Sequence, residues 1–140
     1  MIIVDTNVLS EFMREHPDRH VYAWLDRQNP DEVFTTAITK AEVYYGIEIK
    51  VQGRKRASLQ AFADRLFGST FKGKILPFDS SAAMYFARMS ASLKSRGKKM
   101  SEFDAQIAAI AHARSAILAT RNTYDFEACG VELINPWQAR

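Results

Sequence analysis

A chain of 140 residues with 47% hydrophobic and 25% charged residues is long enough to bury one substantial core, and residues 1–140 are expected to form a single domain. Its single cysteine, Cys129, excludes an internal disulfide and fits a reducing compartment, and no apolar run nears the ~20 residues of a membrane span. The net charge of +3 names no partner by itself. No basic leader precedes Asp5, so a cytoplasmic protein is expected.

The first stretch is Met1-Ile2-Ile3-Val4-Asp5-Thr6-Asn7. Ile2, Ile3 and Val4 do not alternate with polar residues, as befits a strand covered on both faces. Asp5 falls where that strand ends. Thr6 and Asn7 are N-cap types, and Val8, Leu9, Phe12 and Met13 have helical spacing. A second short helix is expected over His20 to Arg27, broken by Asn29-Pro30-Asp31. Val33-Phe34-Thr35-Thr36 reads as the second strand. Thr39-Lys40-Ala41-Glu42 has the form of a capping box, with Tyr44, Ile47 and Val51 as the stripe behind it and Gly53 as the stop.

Leu59, Phe62, Ala63, Leu66 and Phe67 mark a further amphipathic helix, ending at Gly68. Lys74-Ile75-Leu76-Pro77-Phe78 reads as a short buried strand. Asp79-Ser80-Ser81 caps the next helix, with Ala83, Phe86, Ala87 and Leu93 inward. Ser101-Glu102-Phe103-Asp104 opens another, with Phe103, Ile107, Ile110 and Ala111 as its apolar face. Its alanines keep it thin enough to lie close to a sheet. Ala116 to Thr120 is a strand, Arg121 to Phe126 a loop or single turn, and Val131 to Ile134 a last strand. Strands alternating with helices imply an α/β class fold, a three-layer α/β/α domain with a mostly parallel sheet.

Asp5 stands at a strand end, and Glu42 and Asp104 are expected in first turns. Asn122 and Asp125 lie in a loop leaving a strand end. In a doubly wound sheet these places share one edge. Taken singly, each acid is explained by the helix dipole, at about 0.3–1 kcal/mol. Taken together, they would repel one another unless a divalent cation joined them. Carboxylate oxygens suit Mg²⁺. His16, His20 and His112 are scattered, which disfavours zinc and any His-based nucleophile. The basic residues are segregated. Lys50, Arg54, Lys55, Arg56, Arg65, Lys72 and Lys74 accompany only Asp64, and residues 80–101 contain no acid. This allows a phosphate backbone to bind, though each cluster alone reads first as solvated helix faces and loops.

The segments Ile3-Val4-Asp5-Thr6-Asn7, Ala37-Ile38-Thr39-Lys40-Ala41-Glu42, Phe103-Asp104-Ala105-Gln106-Ile107-Ala108-Ala109 and Ala119-Thr120-Arg121-Asn122 resemble the ordered acidic motifs of PIN-domain nucleases. Lys74 to Asp79 and the ending Asn135-Pro136-Trp137 resemble the VapC/FitB branch, the toxins of type II toxin–antitoxin pairs. The likeness covers essentially the whole chain.

It implies an Mg²⁺-dependent endoribonuclease, with Mn²⁺ as a substitute metal, that cuts structured RNA, often transfer RNA. It also implies a homodimer and a cognate antitoxin. Asp5 and Asp104 match the family's metal-binding acids, and Glu42 the acid that completes the site or orients water. Asn122 stands where many members have Asp, and Asp125 is expected to assist. Thr6 is a candidate to bond a site carboxylate, and Arg121 to contact phosphate or lie in solvent. Tyr44, Tyr45, Phe62 and Phe67 are candidates for a protein-binding surface or for core packing. Two other readings remain: a non-catalytic RNA- or partner-binding module, and a phosphatase of the haloacid dehalogenase type. The latter wants a second acid where this chain has Asn7.

Overall fold

The computed structural model describes residues 1–139. The chain runs β1 (Ile2–Val4), α1 (Thr6–Phe12), α2 (Arg19–Asp26), β2 (Val33–Thr36), α3 (Ala37–Glu48), α4 (Arg54–Arg65), β3 (Ile75–Leu76), α5 (Ser80–Ser95), α6 (Glu102–Ala113), β4 (Ile117–Ala119), α7 (Thr123–Phe126) and β5 (Leu133–Ile134). The strands form a five-stranded, all-parallel sheet in the order β3-β2-β1-β4-β5. The expected three-layer α/β/α architecture is what the chain adopts.

The unbroken apolar run of β1 has its cause here. Ile3 faces the core under α5 and α6, while Val4 faces the core under α1 to α4. Leu118 and Ala119 of β4 divide the same way, and the register pairs Val4 with Ala119. Small residues let α6 sit close to the sheet: Ala105, Ala108, Ala109 and Ala111 are all buried.

The order matters for function. From β1 the chain moves outward to β2 and β3, then returns to place β4 on the other side of β1. The β1/β4 boundary is therefore a switch point. Crevices in such sheets open at the carboxyl ends of the strands. Among the described residues no helix is long and apolar enough to cross a membrane.

Several local expectations are corrected. The third helix begins at Ala37, not Thr39, because the Thr36 hydroxyl caps it by accepting from Thr39 N at 3.0 Å. Glu42 thus lies beyond the first turn and is not part of a capping box. That helix ends at Glu48, leaving Val51 91% exposed. Gly68 does not stop α4, which continues into one π-helical turn over Leu66–Thr70. In α5 Phe86 and Leu93 face inward as expected, joined by Ala82 and Met89, whereas Ala83 and Ala87 are exposed. Phe103 is 51% exposed, because the alanines of α6 take the sheet-facing side. Strands β3 and β5 are each shorter than the apolar runs containing them.

Candidate active site

Asp5 follows the last residue of β1 and caps α1, with its Oδ1 accepting from Thr6 N at 2.7 Å. The cap is thus Asp5 rather than Thr6 or Asn7. Its Oδ2 accepts from the Thr120 hydroxyl at 2.8 Å. Register explains the second bond: Val4 pairs with Ala119, so the next residues, Asp5 and Thr120, meet across the switch point. Asp5 N also donates to Ala119 O at 2.9 Å. Asp5 is 3% exposed, and burial pushes its carboxyl up to about 6. The Thr120 and Thr6 hydrogen bonds pull the other way, and the charges of Asp104 and Glu42 add to the rise.

Glu42 reaches the same corner from α3. Its Oε1 lies 2.8 Å from the Thr6 hydroxyl, which is also 3.1 Å from the Thr39 hydroxyl. A carboxylate only accepts, so the Thr6 hydrogen goes to Glu42 and Thr39 donates to Thr6. The expected bond from Thr6 to a site carboxylate is therefore present. Glu42 is half-buried, and its carboxyl is raised by burial and by the charge of Asp104, against the lowering effect of Thr6.

Asp104 lies in the first turn of α6, where its backbone N–H donates to the Ser101 hydroxyl at 3.1 Å. Its carboxyl is raised by burial and by the charge of Asp125. Asp125 is exposed in the first turn of α7. Asn122 caps that turn without a side-chain bond, and its backbone N–H donates to the Thr120 hydroxyl at 3.1 Å.

The four acids thus form a chain of mutual repulsion along one sheet edge. Among the described residues none of them has an ion-pair partner, and no three His, Cys, Asp or Glu side chains close tightly enough to hold one ion. No buried side-chain polar atom among those residues lacks a hydrogen bond. The local deficit is therefore one of counter-charge, not of hydrogen bonding.

Three residues that hold this corner were not singled out as such in the sequence. Thr120 is fully buried and joins Asp5, Asn7 and Asn122. Asn7 Nδ2 donates to Thr120 at 3.2 Å, and its Oδ1 accepts from Arg121 N at 3.2 Å. Asn7 thus stitches the two loops together, and the dehalogenase-type pattern lacks its second acid. Thr39 braces Thr6. Arg121 is exposed, as one of its two readings expects, and among the described residues it is bound to no acid; its guanidinium lies over the Trp137 ring, 4.9 Å from the ring centre.

Of the aromatic candidates, Phe67 is buried and Tyr44 and Phe62 are half-buried, whereas Tyr45 is 66% exposed. Cys129 is buried, which pushes its thiol up to about 11 and makes it a poor nucleophile at neutral pH.

Known proteins share this fold. The model of the PIN domain family matches residues 2–130. The chain is 40% identical to the VapC ribonuclease Y4jK of Sinorhizobium fredii, over 99% of each chain. It is 39% identical to the toxin FitB of Neisseria gonorrhoeae, over 98% of this chain and 99% of the relative. The crystal structure of FitAcB from Neisseria gonorrhoeae superposes with a TM-score of 0.89 at 39% identity, covering 99% of this chain and all of that one.

Proposed function

Because the chain belongs to the PIN-domain family, in the branch of the VapC ribonucleases and FitB toxins, we propose that it is an Mg²⁺-dependent endoribonuclease toxin acting on structured RNA. Transfer RNA is the substrate class to which the family likeness points. The observation that carries this reading is the group of acids at the β1/β4 switch point with no ion-pair partner among the described residues. Their hard oxygen donors fit Mg²⁺, which takes one or two carboxylates and keeps several waters, so a closed three-carboxylate cage is not required. Mn²⁺ would serve in its place.

Asp5 and Asp104 would hold the cation. When bound, it supplies charge that screens the phosphodiester and acidifies a water for in-line attack. The chain's own residues prepare the rest. Thr6 N–H and Thr120 fix both oxygens of Asp5, so its orientation costs nothing at the moment of reaction. Glu42, held by Thr6, orients the attacking water and takes up its proton. Asn122 offers an uncharged hydrogen-bonding group at the mouth, and Asp125 adds negative charge beside Asp104. The same reading includes a homodimer and a cognate antitoxin that masks the site. An apolar groove of about 390 Å³ bordered by Leu9, Phe12, Leu25 and Phe71 offers the antitoxin a surface.

Purified wild-type protein is expected to cut a total transfer-RNA pool at discrete positions in Mg²⁺. It should leave the pool intact in EDTA, and Asp5→Asn should be inactive in both. Undiminished cutting by Asp5→Asn, or in EDTA, overturns the reading. RNA binding without cutting under every metal condition would favour the non-catalytic module.

A further inference from the structure

Between α1, α3 and α4 runs a cleft of about 680 Å³. Thr6 and Glu42 line its inner end, so it opens directly from the acidic centre. Its outer part is lined by Lys50 and Lys55. Both are exposed, and among the described residues neither has a carboxylate within ion-pair distance. The other two charges on the outer walls are Arg14, already paired with Glu11, and Glu15.

A second observation concerns Gly46, on the α3 wall of this cleft. It lies inside a helix, where glycine is less favourable than alanine. Its backbone needs no left-handed conformation, and a Cβ placed there would meet nothing within 4 Å. Neither packing nor backbone geometry calls for glycine. Its effect is to leave the wall bare at the point where a chain passing outward from Glu42 would run.

We propose that this cleft carries one arm of the RNA strand away from the acidic centre, with its phosphates on Lys50 and Lys55 and its sugar–base units over the open wall at Gly46. The proposal rests on the ribonuclease reading above. Lysine binds phosphate as a point charge, releasing about 0.7 counterions per contact on a single strand. The contact therefore tracks the backbone and does not read sequence.

The test is anisotropy of a short fluorescein-labelled single-stranded RNA across a salt series in EDTA, where no cutting is expected. The double variant Lys50→Ala/Lys55→Ala should bind about tenfold more weakly than wild type, with a log–log salt slope shallower by about 1.4. Gly46→Leu should also weaken binding, but with the wild-type slope and a melting temperature no lower than wild type. Lys72→Ala, outside the cleft, should change neither. Wild-type affinity and slope in the double variant, or an equal loss in Lys72→Ala, overturns the proposal. Stronger binding of the same sequence as DNA overturns the assignment to RNA. Because this binding is read without metal, it stands or falls separately from Mg²⁺-dependent cleavage.

Discussion

The two ends of α1 each hold a buried acid, and they are treated in opposite ways. Glu11, 4% exposed, receives the Arg14 guanidinium at 3.3 Å and the Asp18 backbone N–H at 2.9 Å. It closes the turn into α2 with charge and hydrogen bonding both met. Asp5, 3% exposed, receives only neutral donors, and it faces Glu42 and Asp104 rather than a base. A fold that needed only a cap at Asp5 had asparagine or serine available at no electrostatic cost. Burial alone therefore does not mark a functional acid. Burial without a counter-charge, beside further acids, is the feature on which the proposed role of Asp5 rests.

The sharpest way to break this comparison is to neutralise each acid in turn. Asp5→Asn should lower the rate of Mg²⁺-dependent RNA cleavage by about a thousandfold or more, the scale of losing a preorganised charge-stabilising group. Glu11→Ala should leave single-turnover cleavage within a few-fold of wild type. It should instead lose about 2–3 kcal/mol in urea denaturation, through the hydrogen bonds its carboxylate accepts. Equal effects of the two substitutions on cleavage would erase the distinction.

Only part of this contrast was legible in the sequence. The strand Ile2–Val4 could be read because a strand between two cores shows no alternation, and Asp5 then falls at its end by counting. The site of Glu42 was reached, but by the wrong local argument. Two hydroxyls, Thr36 and Thr39, compete to cap the same helix, and only the end of β2 decides for Thr36. Phe103 was misjudged because helical spacing cannot say which of two small-residue faces meets the sheet. The Asn7–Thr120 bond links residues 113 apart, and no local pattern encodes such a stitch. The placing of Arg121 over Trp137 likewise depends on how β5 brings Trp137 back beside the end of β4.

pH sharpens the comparison. The Asp5 carboxyl is raised from 3.8 to about 6 in the folded chain, so folding favours its protonated form. In EDTA its contribution to stability is fully present below about pH 4 and is lost as pH rises through about 6, a span of about 3 kcal/mol. Glu42 and Asp104, raised in the same direction, add to that loss. Asp5→Asn removes the titrating group but leaves the Thr120 hydroxyl without its acceptor, at about 1 kcal/mol. That loss is the same at every pH and sets only a constant offset, so metal-free Asp5→Asn should gain most of the titration span, about 2–3 kcal/mol, relative to wild type between pH 4 and pH 7, measured by urea denaturation at each pH. A constant difference across that range would contradict the burial of an uncompensated charge.

Smaller effects are expected around this corner. Thr120→Val keeps the shape but removes one donor to Asp5 and one acceptor for Asn7 and Asn122. With three hydrogen bonds lost at a fully buried position, it should cost about 2 kcal/mol of stability and about tenfold in cleavage. Asp125→Asn should move the Asp104 carboxyl back toward its ordinary range, with a smaller change in rate than Asp5→Asn or Thr120→Val. NMR titration of the Asp104 side chain reads that shift.

Cation uptake at the two acids speaks most directly to the central contrast. Mn²⁺ titrated into protein at neutral pH can be followed by loss of the free-ion electron paramagnetic resonance signal. Wild type and Glu11→Ala should take up Mn²⁺ saturably, Mg²⁺ should displace it, and Asp5→Asn should leave the signal at its buffer value. Equal uptake by Asp5→Asn, or none by wild type, would contradict the assignment of the β1 carboxylate as the place a divalent cation fills.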